Sequence, residues 1–260
     1  MKRLKYLTAA LAIAAALTPV SSAAGAEPYN WYVKRENGVP VCPPEMSFIE
    51  EHDCRFIDRE AAASGDRVVY LTFDAGYENG NVAKVLDTLK EENVPGAFFV
   101  LENLAEREPD LLLRMTDEGH TVCNHTAKHR DMTAYRDFSE FSSELKKMEN
   151  EYEAATGKTL AKYYRPPEGR FSEENLEFAE KLGYRTVLWS FAYADWDNDR
   201  QPDPAKSYEK IVNSVVPGSV LLLHPTSETN AVILGDVIRT LKNDGYRFGT
   251  LEELFCNEKA

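Results

Sequence analysis

Side chains that can move a proton or hold a metal stand at the ends of short apolar runs in this chain. Asp74 closes VVYLTFD, His125 follows TVCN with His129 four residues on, and Arg165 closes YYR. Asp195 stands in AYADW, and His224 closes VLLLH. If residues 125–129 were helical, their i, i+4 imidazoles would share one face and offer two nitrogens to a transition metal. Each residue taken alone has a plainer explanation. Two histidines four apart are more often surface or capping residues, and a lone histidine ending a strand is most often structural. Asp74 could be a turn or capping acid, because Gly76 and Asn79 follow it. Arg165 precedes Pro166-Pro167 and could be a surface arginine leading into a turn. Taken together they make one apparatus. A metal on His125 and His129 would polarise a carbonyl and lower the pKa of bound water toward ~7, from ~15.7 in bulk. Asp74 could take the water proton, and protonated His224 could give one to a leaving amine. That chemistry is amide hydrolysis.

Such groups meet only if the fold brings strand ends together. After residue 66, short β-branched or aromatic runs alternate with segments of helical period, as βα units around a parallel sheet or barrel do. Strands are predicted at Val68–Phe73, Ala97–Val100, Thr121–Asn124, Tyr163–Arg165, Arg185–Trp189, Ser219–Leu223 and Arg247–Thr250. Between the first two, Val82, Val85, Leu86 and Leu89 recur at helical spacing, as do Leu111, Leu112 and Met115 before the third. Long helices are expected over Ser139–Ala155 and Glu173–Leu182, the second capped by Gly183. About seven units suit a small, distorted (β/α) barrel of the α/β class, whose working groups lie at the carboxyl ends of its strands. The unusual residues stand there.

The first 26 residues read as a signal peptide: a basic head, an apolar run from Leu7 to Leu17, and Ala24-Gly25-Ala26 as a cleavage site. Residues 27–66 form an amino-terminal extension and residues 67–256 one catalytic domain, with no linker inside it. The mature chain is therefore expected to be secreted and monomeric, without a membrane span. Cleavage would remove Lys2, Arg3 and Lys5, moving the formal charge from −13 to −16, a surface that repels nucleic acid. Export permits disulfides, and Cys42 with Cys54 is the preferred pair because both lie in an irregular segment with few apolar anchors. Cys123, inside an apolar strand, reads as a small buried hydrophobe. A Ser or Cys nucleophile finds no support, since no G-x-S-x-G occurs.

The ordered motifs TFDAG (72–76), HTAKH (125–129), RPPEG (165–169), DW (195–196) and LLLH (221–224) resemble those of the NodB-homology polysaccharide deacetylases. The stretches NWYVKR, TFDAGYENGN, RPPEGRFSEE, WSFAYADW and GYRFGTLEEL are similar to those of the subgroup of delta-lactam-biosynthetic de-N-acetylases, which act on muramic acid in spore cortex peptidoglycan. The resemblance implies a distorted (β/α) barrel and a divalent metal, zinc by preference. It implies a peptidoglycan glycan strand as partner. It also implies Asp74 as base, His125 and His129 as metal ligands, Arg165 orienting the base, and Asp195 supporting His224 as general acid. The backbone N–H of Glu168 would be the oxyanion donor, and Trp196 and Leu222 would wall the acetyl pocket, although both also read as plain core. The chain departs from the pattern at Ala75, where the family usually carries a third, acidic metal ligand and the subgroup commonly an asparagine. Glu78, Asn79 or Asp74 could stand in. The alternative is a degenerate relative that grips glycan without turning it over.

Overall fold

The computed structural model describes residues 27–256, so the expected signal peptide lies outside the described residues. The strands, in chain order, are β1 (Tyr29–Asn30), β2 (Lys34–Glu36), β3 (Val39–Val41), β4 (Cys54–Arg55), β5 (Val68–Ala75) and β6 (Ala97–Val100). They continue as β7 (Thr121–Asn124), β8 (Ala161–Tyr164), β9 (Arg170–Phe171), β10 (Arg185–Val187), β11 (Ser219–Leu223) and β12 (Arg247–Phe248). The helices are α1 (Arg59–Ser64), α2 (Val82–Glu91), α3 (Glu102–Arg107), α4 (Pro109–Asp117) and α5 (Phe138–Thr156). After them come α6 (Glu173–Lys181), α7 (Pro204–Ser214), α8 (Glu228–Asn243) and α9 (Leu251–Cys256).

The main sheet runs β11-β5-β6-β7-β8-β10-β4, all parallel, with β12 paired to the start of β5. Beyond Val187 the chain leaves β4 and crosses to β11, where Ser190 N donates to Val220 O at 2.9 Å and Leu222 N to Phe191 O at 2.9 Å. The sheet thus curls back on itself, and the barrel is distorted because irregular chain rather than a ladder makes its seam. Strands end where their apolar alternation ends. Predicted β10 stops at Val187 instead of Trp189 because Trp189 begins that crossing, and β8 runs from Ala161 to Tyr164, leaving Arg165 just beyond it.

Alternation along the strands divides the core. Val69, Leu71, Phe73, Phe98, Val122, Leu221 and Leu223 face the helices. Val68, Tyr70, Ala97, Phe99, Cys123, Val187 and Val220 form a second layer, plugged at one end by Leu251, Leu254 and Phe255 of α9. Continuing that second row by steps of two leads from Tyr70 through Thr72 to Asp74, from Cys123 to His125, and from Val220 through Leu222 to His224. The same parity that fills the barrel therefore delivers the polar groups to its mouth. Cys123 is fully buried within this layer, as expected.

Long helices end as the sequence predicts. Gly183, at φ 78°, lets its own N–H reach Glu180 O and Tyr184 N–H reach Ala179 O at 2.9 Å, closing α6. Cys42 and Cys54, the preferred disulfide pair, are both free thiols, and Cys42 Sγ faces the carbonyls of Pro43 and Met46. The amino-terminal segment is held otherwise. β4 joins β10, β1 pairs with β9, and Asp58 caps α1 through Ala61 N at 2.9 Å while accepting the buried Tyr70 hydroxyl at 2.7 Å. Asp58→Ala removes a cap and strands that hydroxyl, so a loss of about 2–3 kcal/mol is expected in urea unfolding with an unchanged m-value.

Candidate active site

Arg165 is the buried centre of the mouth. Its guanidinium, wholly shielded from solvent, donates from Nη1 to Asp74 Oδ1 at 2.7 Å, from Nη2 to Thr72 Oγ1 at 2.8 Å and from Nε to Val187 O at 3.0 Å. Its plane lies 4.1 Å from the Phe99 ring centroid. An arginine merely entering a turn would be exposed, so that reading fails. Burial pushes the Asp74 carboxyl up, but the nearby charges of Arg165, His125 and His224 outweigh it and hold the group below its ordinary range. Asp74 is an ionised carboxylate with one oxygen, Oδ1, fixed by Arg165.

The other oxygen, Oδ2, lies 3.5 Å from His125 Nε2. His125 Nδ1 sits 2.9 Å from Arg165 O, which accepts its N–H and leaves Nε2 as the lone-pair nitrogen. Burial, only partly offset by Asp74, pulls this imidazole down to about 4, so it is neutral. The His125 and His129 rings meet edge to face with centroids 4.9 Å apart. They do so without a helix. Residues 125–130 are irregular, with Thr126 at φ 72° and His129 at φ 52°, and the turn is pinned by Asn124 Oδ1 accepting from Thr126 N and Thr126 Oγ1 from His129 N. A left-handed threonine is strained, and such strain concentrates where a loop must aim ligands.

Two ligands of a tetrahedral zinc site with bonds near 2.1 Å stand about 3.4 Å apart, which matches the Asp74 Oδ2 to His125 Nε2 separation. Asp74 Oδ2 and His125 Nε2 thus stand at a spacing that suits a divalent metal, and the ring contact sets His129 next to His125. Ala75 offers no donor and is fully buried in the helix-facing apolar layer. Glu78 is committed elsewhere, accepting from Gly80 N and from Ala83 N at the start of α2. Asn79 is equally engaged, with Nδ2 donating to Thr226 O at 2.9 Å. Of the three stand-ins for a third ligand, Glu78 and Asn79 have other partners, and Asp74 Oδ2 is 3.5 Å from His125 Nε2. A separate carboxylate cluster, Glu102, Glu106 and Glu151, is neutralised in part by Lys128 and Lys147, which lie 3.1 and 2.9 Å from Glu102.

On the adjacent strand, the β5–β11 register pairs Thr72 with Leu222 and Phe73 with Leu223, so the next step sets His224 level with Asp74. Asp195, fully buried, binds His224 twice: Oδ1 to Nδ1 at 2.7 Å and Oδ2 to the backbone N at 2.9 Å. Burial would lower the imidazole's pKa, but the Asp195 hydrogen bond and charge, with Asp74 behind them, raise it above its ordinary value. Asn230 Nδ2 donates to Asp195 Oδ2 at 2.6 Å, and Asn230 Oδ1 accepts from the Tyr193 hydroxyl. Sequence reasoning missed Asn230 and Tyr193. Asn230 reads as the third residue of a helix capped by Ser227, which it also is.

The remaining predicted positions sort by burial. Leu222 is buried beside Thr72, on the face that carries Asp74. Trp196 is 59% exposed with its ring 6.0 Å from that of His224, so it is no core residue. Glu168 adopts φ 58° in the tight turn Pro167–Gly169 and sends its side chain to solvent. Gly169 is obligatory there, because a Cβ would stand 2.5 Å from Trp189 and 3.2 Å from Trp31.

Residues 61–187 match the family model described as polysaccharide deacetylase. The chain is 38% identical to the peptidoglycan-N-acetylmuramic acid deacetylase PdaA of Bacillus subtilis, over 90% of this chain and 88% of that protein. The chain belongs to the polysaccharide deacetylase family. The solved structure of PdaA, a family 4 carbohydrate esterase, superposes with a TM-score of 0.83 over 90% of this chain and 99% of that one. A CE4 family pseudoenzyme from Bacillus anthracis is more distant, at 25% identity and a TM-score of 0.68 over 75% of this chain and 67% of that one. The expected barrel of deacetylase type is therefore borne out.

Proposed function

We propose that this protein is a metal-dependent amide hydrolase that removes N-acetyl groups from muramic acid residues of peptidoglycan, acting outside the cytoplasmic membrane after cleavage of residues 1–26. Its relatives' names supply the substrate class. The observation that carries the chemistry is a pair of braced titrating groups at the mouth: Asp74 held by Arg165 at 2.7 Å, its pKa lowered, and His224 held by Asp195 at 2.7 Å, its pKa raised. No described helix is long and apolar enough to cross a membrane.

His125 and His129 would hold the metal, zinc by preference, with Asp74 Oδ2 facing it. When bound, it supplies Lewis acidity, polarising the acetyl carbonyl and lowering the pKa of coordinated water toward ~7. Asp74 accepts the water proton, its position fixed by Arg165. The Glu168 N–H faces the carbonyl oxygen as negative charge develops, a contribution of about 3 kcal/mol in comparable sites. His224 donates its Nε2 proton to the departing amine, because Asp195 occupies Nδ1. Trp196 and Leu222 border the acetyl group.

Asp195→Asn tests the acid. Removing the charge that raises the His224 pKa should move the alkaline limb of the kcat/KM profile toward lower pH. The stability sign follows from the same shift. A raised folded pKa contributes stability fully present below the unfolded value of 6.5 and lost as pH rises through the folded value, and the variant should lose that dependence.

The reading as a whole is tested with peptide-free glycan strands and added zinc. Acetate release, with mass spectrometry placing the free amine on muramic acid, is expected. No acetate with zinc, cobalt, nickel or manganese, together with strand binding indifferent to chelator, would instead support a glycan-binding relative without turnover, the reading that Ala75 and the pseudoenzyme's likeness favour.

A further inference from the structure

Three loops border the His224 side of the mouth, and side chains tie them into a ring. Residues 76–81 are joined to the segment after His224, because Asn79 Nδ2 and Asn81 Nδ2 both donate to Thr226 O, at 2.9 and 3.1 Å. Gly76 O accepts from Asn103 Nδ2. Gln201 ties the loop after Asp195 to that same segment, its Nε2 donating to Asp195 O and Asp197 O while its Oε1 accepts from Ser227 Oγ and Thr229 N. The ring closes between Asn198 and Tyr77, whose hydroxyl accepts from the Asn198 amide.

On this braced rim two aromatic rings stand in solvent: Tyr77 at 43% exposure and Trp196 at 59%. Both stand within three residues of a predicted catalytic group, Tyr77 after Asp74 and Trp196 beside Asp195. Asn198 fixes the Tyr77 hydroxyl while much of the residue stays in solvent, which leaves ring area that a ligand can cover. A sugar ring, with an apolar C–H face and a polar rim, suits such a surface.

We infer that Tyr77, held by Asn198 of the loop that also carries Trp196, forms a saccharide subsite that binds a residue of the glycan strand neighbouring the one deacetylated. The ring supplies stacking area to the sugar, and Asn198 fixes its angle. This rests on the reading of the protein as a glycan deacetylase, and it makes Tyr77 a determinant of preference for long strands.

The test compares strands of one and of four disaccharides, peptide-free, with wild type, Tyr77→Ala and Tyr77→Phe. Tyr77→Ala should raise KM on the long strand roughly ten-fold with little change in kcat, and should erode the ratio of long-strand to short-strand kcat/KM. Tyr77→Phe keeps the ring and loses the tether, so its ratio should fall between the two. Equal losses on both strands, or none, would overturn the inference while leaving the deacetylase reading intact. If wild type released no acetate, calorimetric titration of long strands into Asp74→Asn and Asp74→Asn/Tyr77→Ala would decide the subsite alone. Weaker binding by the double variant supports it and equal binding overturns it.

Discussion

Asp74→Asn is expected to lower kcat by ~10²–10⁴-fold with KM nearly unchanged, because the asparagine keeps the shape and cannot take the water proton. The structure gives this variant a specific second consequence. Arg165 loses its ionic partner at Nη1 but retains Thr72 Oγ1 at 2.8 Å and Val187 O at 3.0 Å, and the amide oxygen can still accept a neutral hydrogen bond. The fold should therefore survive while the chemistry fails, which acetate release and urea unfolding measure side by side. A variant that kept more than a tenth of wild-type kcat would remove Asp74 from the role of base.

Arg165→Met inverts that pattern. The guanidinium is fully buried, so its loss leaves a nearly buried carboxylate without its cation, and breaking such a pair costs about 3–5 kcal/mol. Burial alone pushes Asp74 upward, and the Arg165 charge is the largest influence opposing it. In the variant the Asp74 pKa should rise, and the acid limb of kcat/KM should move to higher pH. The stability sign is that of a depressed carboxylate: the Asp74 contribution is present above its unfolded pKa of 3.8 and lost as pH falls through the folded value. The wild type should lose it at strongly acid pH and the variant should lack it. Denaturant midpoints between pH 3 and 7 check this.

Much of this geometry was legible because strand alternation is strict. Tyr70, Thr72 and Asp74 share a parity, as do Val220, Leu222 and His224, and a parallel register then sets the two ends side by side without any tertiary knowledge. What was hidden depended on backbone that alternation does not describe. The HTAKH turn holds Thr126 and His129 in left-handed conformations that residue types disfavour, so helical spacing gave the right contact for the wrong reason. β4 is two residues long and carries no period, yet it sits beside β10 and draws the amino-terminal segment into the main sheet. Asn230 serves the Asp195 carboxylate with its side chain while its backbone N–H answers the Ser227 cap, and only the cap shows in sequence.

Ala75 changes meaning between the two levels. In the sequence it is a missing ligand, and in the fold it is a buried methyl whose neighbours Glu78 and Asn79 are both tied to other partners. Asp74 stands nearby with its two oxygens divided between Arg165 and the histidine side.

Crystals soaked in zinc and measured at the zinc absorption edge test that division most directly. The expected anomalous peak lies about 2.1 Å from His125 Nε2, within bonding distance of a His129 ring nitrogen and facing Asp74 Oδ2. A peak among Glu102, Glu106 and Glu151 with none between the two histidines would contradict it.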